Sequence, residues 1–264
     1  MNKLKIYQID AFTGRLFGGN PAAVVPLEKW LDAATMQSIA LENNLAETAF
    51  FVPEGDGFRL RWFTPEVEVK LCGHATLASA FVLFTILEPG RRAVKFETLS
   101  GTLTVVASGD QLVMDFPRWT LSAAPADAPR AVSAALHSAP VRVLSTGYGD
   151  HWFAVFESEA DVRALAPDFG ALRKLGQMVI ATAPGTRSDC VVRFFAPVAG
   201  IDEDPGTGSI HCALTPYWCE RLGKRTLHSL QVSKRGSELN CELDGERVLI
   251  AGRAVKYLEG WIEV

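Results

Sequence analysis

The chain opens with two segments whose apolar positions predict β-strands. In "LKIYQIDAF" (residues 4–12) apolar and polar residues alternate, and "NPAAVVPL" (residues 20–27) is apolar with strand-forming valines. The next segment, "AATMQSIALENN", predicts a helix that Asp32 caps and Asn44 ends. "LAETAFFVP" and "FRLRWFTP" then predict two further strands.

A longer apolar run near the middle of this half predicts a buried helix. Gly73 precedes a helix-compatible run that ends at Pro89 and Gly90. The run is apolar on nearly every face, which is typical of a helix surrounded by the core. Residues 93–117 then predict a strand, a turn and two more strands. The first half therefore predicts several strands around one buried helix.

The second half repeats landmarks of the first half at a nearly constant offset of half the chain. "RWFTP" ends at Pro65, and the similar "RFFAP" ends at Pro197. Three glycine pairs keep nearly the same separation: Gly73 and Gly208, Gly90 and Gly223, Gly101 and Gly236. Such regularity over several landmarks predicts an internal duplication, and a period this long means two similar domains rather than stacked repeats.

The predicted domains span residues 1–118 and 130–264. The segment from Pro117 to Arg130, "PRWTLSAAPADAPR", is rich in proline and alanine and poor in strand formers, so it is the expected join. The final strand, Ala254–Val264, has two possible places: it packs on the second domain or crosses back to the first.

Composition narrows the class of protein. The 264 residues are 48% apolar and 21% charged, enough for two cores, and the net charge of −4 with scattered basic residues argues against a nucleic-acid partner. The five cysteines are irregularly spaced, and the first twelve residues read as a strand rather than a signal peptide. The longest apolar run, residues 75–87, is too short to span a bilayer. A cytoplasmic protein without a membrane partner is expected.

Each half brings a glycine turn to the start of its apolar helix, at Gly73 and at Gly208. A helix N-terminus offers unpaired N–H groups and a positive dipole end, so it favours an anion. If the two ends face each other across a cleft between the domains, they flank a pocket for a small carboxylate. They would also stabilise negative charge that develops on it, as on an enolate.

Other uses of these turns fit less well. A phosphate loop needs Gly-Lys-Ser/Thr, but no lysine follows Gly208, and His211 stands where a dinucleotide fingerprint needs its third glycine. Cys72 with His74, or His211 and Cys212 with Cys219, match no common zinc spacing. Neither a cofactor nor a metal is therefore expected.

Four motifs carry a resemblance to a known family. "DAFTGRLFGGNPAAVV", "NLAETAFF", "FTPEVEVKLCGHATLASA" and "FFAPVAGIDEDPGTGSIHCAL" together resemble the PhzF-like family of phenazine-biosynthesis isomerases. The resemblance implies an α+β, diaminopimelate-epimerase-like fold with two pseudo-symmetric domains, each a strand-rich barrel around a central helix. It also implies a homodimer and cofactor-free proton transfer on a small carboxylate bound between the domains. The family's type reaction isomerises a dihydro-hydroxyanthranilate.

The resemblance assigns roles residue by residue. It implies that Glu47 is the acid/base carboxylate, that His74 donates a hydrogen bond or relays a proton, and that Asp204 orients His74 or handles a proton. The helix end next to His74 favours its neutral form. The resemblance also implies that four residues bind the substrate: Gly73, Gly208, Ser209 and Asn20. Of these, Asn20 is also explained as a turn residue.

Each role has a purely structural alternative. Glu47 could be a solvated carboxylate at a strand edge, and His74 a hydrogen-bonded core histidine. Asp204 could cap the following turn, and Ser209 could offer its hydroxyl to the backbone at the helix start. Arg61 and Arg193 occupy equivalent places in the two halves, either on the surface or facing the cleft.

Two departures from the family pattern bear on the substrate. Ala46 stands where many members have serine, and Gly206 where many have valine or alanine. A two-thiol epimerase of the same fold is a rival function, with Cys72 as one thiol, but Thr207 occupies the equivalent place in the second half. A protein that binds a ligand without catalysis is the other rival.

Overall fold

A computed structural model describes residues 3–148 and 151–264 of the chain. The chain divides into two compact units. The first runs to Phe116 and includes Ile250–Val264, and the second spans Pro117–Leu249. Both units combine strands with helices, so the α+β class predicted from the sequence is confirmed.

Eight strands occur before the chain enters the second unit. Their bounds are β1 (Lys3–Ala11), β2 (Asn20–Pro26), β3 (Glu47–Glu54), β4 (Gly57–Phe63), β5 (Glu68–Val69), β6 (Ala93–Thr98), β7 (Gly101–Ser108) and β8 (Gln111–Pro117). β2 pairs antiparallel with β1 but parallel with β3. β4 pairs antiparallel with β3 and β5 but parallel with β6. The pairs β6–β7 and β7–β8 are antiparallel.

The first helix, α1 (Ala33–Asn43), has the ends that the sequence predicts. The Asp32 carboxylate accepts a hydrogen bond from Thr35 N at 2.8 Å, which satisfies one of the unpaired N–H groups of the first turn. Asn44 adopts the left-handed conformation, with φ of 49°, and ends the helix. Met36 and Ile39 pack into the core of this unit.

The second helix, α2 (Gly73–Val82), continues as a π-helical turn over Leu83–Leu87. Nine of its ten residues are buried, which confirms the helix predicted to lie inside the core. It packs against β1, β2 and β3. Those strands fix the direction of its N-terminus, where His74 lies.

The second unit contains nine strands and four helices among its described residues, and β17 runs on past Leu249. The helices are α3 (Ala128–Leu136), α4 (Glu159–Ala164), α5 (Phe169–Leu175) and α6 (His211–Leu222). The strands are β9 (Leu121–Ala123), β10 (Arg142–Thr146), β11 (His151–Val155), β12 (Met178–Pro184), β13 (Cys190–Ala196), β14 (Ile201–Glu203), β15 (Thr226–Gln231), β16 (Ser237–Asp244) and β17 (Arg247–Gly252).

Strand pairing in the second unit follows the order seen in the first. β11 pairs antiparallel with β10 and parallel with β12. β13 pairs antiparallel with β12 and β14 and parallel with β15, which pairs antiparallel with β16. Each pairing has its counterpart in the series from β1 to β7. The topology thus repeats as the duplicated landmarks predict.

The helix start predicted at Gly208 is wrong by three residues, because α6 begins at His211. His211 N donates to Gly208 O and Cys212 N donates to Ser209 O, both at 3.0 Å. These bonds to the third residue back form a tighter turn before the helix. Its predicted end is confirmed, with Gly223 at φ of 64°.

The last strand, β18 (Ala254–Glu263), lies in the first unit. It pairs antiparallel with β1 from Lys3 opposite Glu263 to Ala11 opposite Ala254. The chain therefore returns to its first strand, one of the two places that the sequence left open. Within the described residues, no helix combines the length and hydropathy that crossing a membrane requires.

Candidate active site

Three elements of the first unit bring the candidate residues together. β2 and β3 run parallel, with Ala22 opposite Glu47, so their first residues lie at the same end of the sheet. Asn20 is the first residue of β2 and Glu47 the first of β3. The N-terminus of α2 reaches this end and supplies His74 as its second residue. Residues far apart in the sequence thereby become neighbours.

The partly buried Glu47 and the buried His74 form an ion-pair contact. His74 Nε2 lies 3.0 Å from Glu47 Oε2, and the side chains are only 7% and 13% exposed. The two atoms are within charge-pairing distance without the alignment of a hydrogen bond. Since Glu47 is so little exposed, its interpretation as a solvated carboxylate at a strand edge is wrong.

The other ring nitrogen of His74 faces two different groups. Asn20 Nδ2 lies 3.2 Å from His74 Nδ1, and Cys72 Sγ lies 3.5 Å from the same atom. Asn20 is fully buried and is part of a strand, which argues against a role limited to a turn. Its amide is in contact with the histidine ring.

His74 is more basic than the sequence suggested. Burial by itself lowers the pKa of the ring, whereas Cys72 and Glu47 beside it raise that pKa, and the net result is well above the ordinary value. Burial raises the pKa of the Cys72 thiol to about 11, so this thiol is neutral at pH 7. The Glu47 carboxylate therefore supplies the charge that favours the imidazolium. The expectation of a neutral His74 is wrong, because a full negative charge outweighs the partial charge of the helix end.

Glu47, Cys72 and His74 also offer one possible metal ligand each, with all three atoms within 4.8 Å of one another. Within this cluster Cys72 Sγ contacts Nδ1 and Glu47 Oε2 contacts Nε2. These contacts suit a proton relay through the ring.

Asp204 lies in the second unit, where the turn before α6 holds it. The Thr207 hydroxyl donates to Asp204 Oδ2. Gln231 clamps the same turn: its Oε1 accepts from Thr207 N at 2.8 Å, and its Nε2 donates to Asp204 O at 2.7 Å. Asp204 and Thr207 are both buried, whereas a residue that only caps a turn can remain exposed.

The remaining predicted residues of this unit lie in the same turn. Gly208 is buried and Ser209 is partly exposed, so the Ser209 hydroxyl is the more accessible group. His211 is fully buried, with Nδ1 against Thr207 O at 2.9 Å and Nε2 against Ser229 Oγ at 2.9 Å. Burial lowers its pKa to about 4, which makes His211 a neutral core histidine.

Arg61 and Arg193 hold equivalent structural positions in the two units. Arg61 binds both carboxylate oxygens of Glu68, at 2.7 and 2.8 Å. Arg193 binds both oxygens of Glu203, at 2.8 and 2.9 Å. Each pair joins a strand to the short strand that follows it. These bidentate pairs account for both arginines within their own units.

Two residues near the candidate groups were given no such role by the sequence. The sequence suggested Cys72 as an epimerase thiol or a metal ligand, whereas the structure places its Sγ against His74 Nδ1. Gln231 was missed entirely, since nothing around the end of β15 marks it as a partner for the turn that precedes α6. Gln231 left no signal in the sequence, because its hydrogen bond to Thr207 N joins residues far apart in the chain.

Comparisons with known proteins identify the family of the chain. The family profile described as phenazine biosynthesis-like protein matches residues 9–260. An uncharacterized isomerase of Pseudomonas aeruginosa is 51% identical over 266 residues, covering 99% of both chains. A PhzF-family phenazine biosynthesis protein of Enterococcus faecalis has a crystal structure that matches with a TM-score of 0.95, at 43% identity and 100% coverage of both chains.

A more distant likeness concerns the fold alone. A predicted epimerase of Pseudomonas aeruginosa matches with a TM-score of 0.74 at 22% identity, covering 99% of both chains. This places the chain in the epimerase-like fold. The profile match and the similarity over full length show that the chain belongs to the phenazine biosynthesis-like, or PhzF-like, protein family.

Proposed function

We propose that the protein is a cofactor-independent isomerase that moves a proton between two carbons of a small carboxylate. One observation carries the proposal: Oε2 of the partly buried Glu47 lies 3.0 Å from Nε2 of the buried His74. A carboxylate in this position can remove a proton from carbon and return it. Relatives named isomerases support the reaction class.

In the proposed reaction the Glu47 carboxylate accepts the proton of a C–H bond. The electron pair of that bond moves into the conjugated system of the substrate and forms an enolate-like species. Glu47 then gives the proton to a different carbon, so no atom is gained or lost. His74, as the imidazolium, holds the carboxylate in place and stabilises its charge before the first transfer.

The resemblance extends the proposal to groups of the second unit. Asp204 is proposed as a second proton-handling carboxylate, and Gly208 and Ser209 as binders of the substrate carboxylate. Gly73 is proposed to offer its N–H at the start of α2, where the first N–H groups have no partner within the helix. Asn20 belongs with the catalytic pair because of its contact with His74.

A two-thiol epimerase is not favoured. Its first thiol must lose its proton near neutral pH, but burial raises the pKa of Cys72 to about 11. The equivalent place in the second unit holds Thr207, whose hydroxyl donates to Asp204. A threonine cannot replace the second thiol.

The test is proton exchange in D₂O, followed by proton NMR. The panel is a set of small cyclic and amino carboxylates that includes the dihydro-hydroxyanthranilate of the type reaction. Wild type is compared with Glu47→Gln, which keeps the side-chain shape but removes the base. Glu54→Gln is the matched control, because Glu54 ends the same strand, is exposed and pairs only with Arg59 among the described contacts, at 3.7 Å.

Deuterium uptake by wild type and Glu54→Gln, with a loss of about 100-fold or more in Glu47→Gln, is the expected result. Equal rates in all three proteins would remove Glu47 from the reaction. Silence in all three, with panel members that raise the Tm, would favour the binding protein. Asp204→Asn and Ser209→Ala, assayed with the responding compound, then test the second unit.

A further inference from the structure

Cys72 is held firmly beside the ring of His74. It precedes α2 in an extended conformation, and its carbonyl accepts from Thr76 N at 3.2 Å and from Thr76 Oγ1 at 2.6 Å. The residue is only 6% exposed, and its Sγ lies 3.5 Å from His74 Nδ1. The helix start thus fixes Cys72, and the contact with Glu47 fixes His74.

A thiol is an unusual partner for this nitrogen. A carboxylate in the same place would accept from Nδ1–H and hold the ring as the imidazolium. A neutral thiol can donate its S–H to a bare Nδ1 or accept weakly from Nδ1–H. The Asn20 amide places its nitrogen, which is a donor, 3.2 Å from Nδ1. Through the thiol, the Nδ1 side of the ring is compatible with either protonation state.

We propose that Cys72 is a positioning residue: its thiol holds the ring of His74 so that Nε2 faces Glu47, and it adapts when the ring gains or loses a proton. When Nε2 gives its proton to the Glu47 carboxylate, 3.0 Å away, the ring keeps the proton on Nδ1, which donates to Sγ. When Nε2 alone carries a proton, the thiol donates to Nδ1. No bond to sulfur forms or breaks in either state.

Other charged groups around α2 have partners of their own. Of the strands packed against the helix, β2 carries no ionisable residue. On β1, Asp10 is buried and accepts from Phe17 N at 2.9 Å. On β3, Glu54 lies at the far end and pairs with Arg59. The charged residues of β1 and β18 form ion pairs with one another: Lys3 with Glu263, and Lys5 and Lys256 with Glu259.

The test measures the titration of His74 directly, by NMR of imidazole-labelled protein, with His74→Gln to assign its signals. Cys72→Ala removes the contact, and Cys72→Ser keeps a group that donates and accepts. Cys212→Ala is the matched control, because it also removes one buried thiol next to a glycine turn, but in the second unit. Thermal melting establishes that each variant is folded.

The expected result is a changed His74 titration or changed ring signals in Cys72→Ala, a smaller change in Cys72→Ser and none in Cys212→Ala. The kinetic part rests on the proposed isomerase. With a responding substrate, kcat of Cys72→Ala falls about tenfold, a share of the 10²–10⁴ that positioned proton transfer contributes, while KM stays within about twofold. The pH profile moves with the NMR titration, and Cys72→Ser recovers most of the rate.

The titration separates this inference from the proposed function. An unchanged titration and unchanged ring signals in Cys72→Ala would overturn the role of Cys72, even in an active isomerase. If the His74 titration shifts in Cys72→Ala but wild type isomerises no panel compound, the role of Cys72 is supported and the proposed isomerase is not. An equal fall of kcat in Cys72→Ala and Cys212→Ala would indicate a general packing effect and contradict the proposal.

Discussion

Replacing His74 with asparagine should remove a pH-dependent part of the free energy of unfolding. The pKa of His74 lies well above 6.5 in the folded protein, where the Glu47 carboxylate is 3.0 Å away. In the unfolded chain the ring returns to its ordinary pKa of 6.5. The folded state therefore binds the proton more tightly, and protonation of His74 stabilises the fold.

The direction with pH follows from that difference. The stabilisation is complete below pH 6.5 and is lost as the pH rises through the folded-state pKa. Its slope approaches about 1.4 kcal/mol per pH unit. Since the unfolded histidine is still half protonated when the pH equals its pKa, the loss over the first pH unit above that point is about 1 kcal/mol.

Urea unfolding, followed by circular dichroism in steps of one pH unit upward from about pH 6.5, measures this contribution. The difference between wild type and His74→Asn should shrink by about 1 kcal/mol over the first step. His137→Asn is the control, because His137 is exposed in a left-handed conformation that asparagine also tolerates. In a Glu47→Gln background the effect of His74→Asn should lose most of its pH dependence. Parallel curves for wild type and His74→Asn would refute the assignment of a protonated His74.

Three further predictions test other parts of the chain. Hydrogen bonds from Thr186 lower the pKa of Glu159 to about 2, so its stabilisation is present above pH 4.5 and is lost as the pH falls toward 2. Glu159→Gln should thus cost about 2 kcal/mol near neutral pH, after allowance for solvent, and little in acid, as urea unfolding at both pH values can check. Gln231→Leu leaves Thr207 N without its partner and should lower the stability by about 2–3 kcal/mol; an unchanged unfolding midpoint would contradict that clamp. Cys72, with a pKa of about 11, should resist iodoacetamide at pH 7.5, and rapid alkylation seen by mass spectrometry would contradict a buried neutral thiol.

Local features of the fold could be predicted because local chemistry determines them. Asp32 and Asn44 end α1 through a side-chain hydrogen bond and a left-handed turn, both of which act within a few residues. The apolar run after Gly73 is buried because no face of that helix is polar. The repeated strand order follows from a duplication that left landmarks in the sequence.

The start of α6 could not be predicted because a distant residue decides it. Residues 208–210 suit the first turn of a helix by composition, but Gln231 binds Thr207 N from a strand that follows the helix. That bond fixes the chain just before the turn, and His211 N then pairs with Gly208 O at 3.0 Å. The helix begins only after this turn.

The charge of His74 could not be predicted for a similar reason. Its position beside the helix start is visible in the sequence and suggests a neutral ring. The partner that reverses this, Glu47, comes from an earlier element of the chain, and only the parallel pairing of β2 and β3 brings it to the helix end. A full charge at 3.0 Å then outweighs the half charge of a helix end.

The duplication separates what the fold provides from what individual residues provide. Glu47 begins β3, and Met178 begins the equivalent strand β12. Cys72 corresponds to Thr207, because each directly precedes the glycine of its half, Gly73 or Gly208. Both units keep the same strand pairing, although among the described residues only the first places a carboxylate and a histidine together at this point. The strand pairing thus does not require the acid–base pair, so variants of Glu47 should retain the fold while they lose the proposed chemistry.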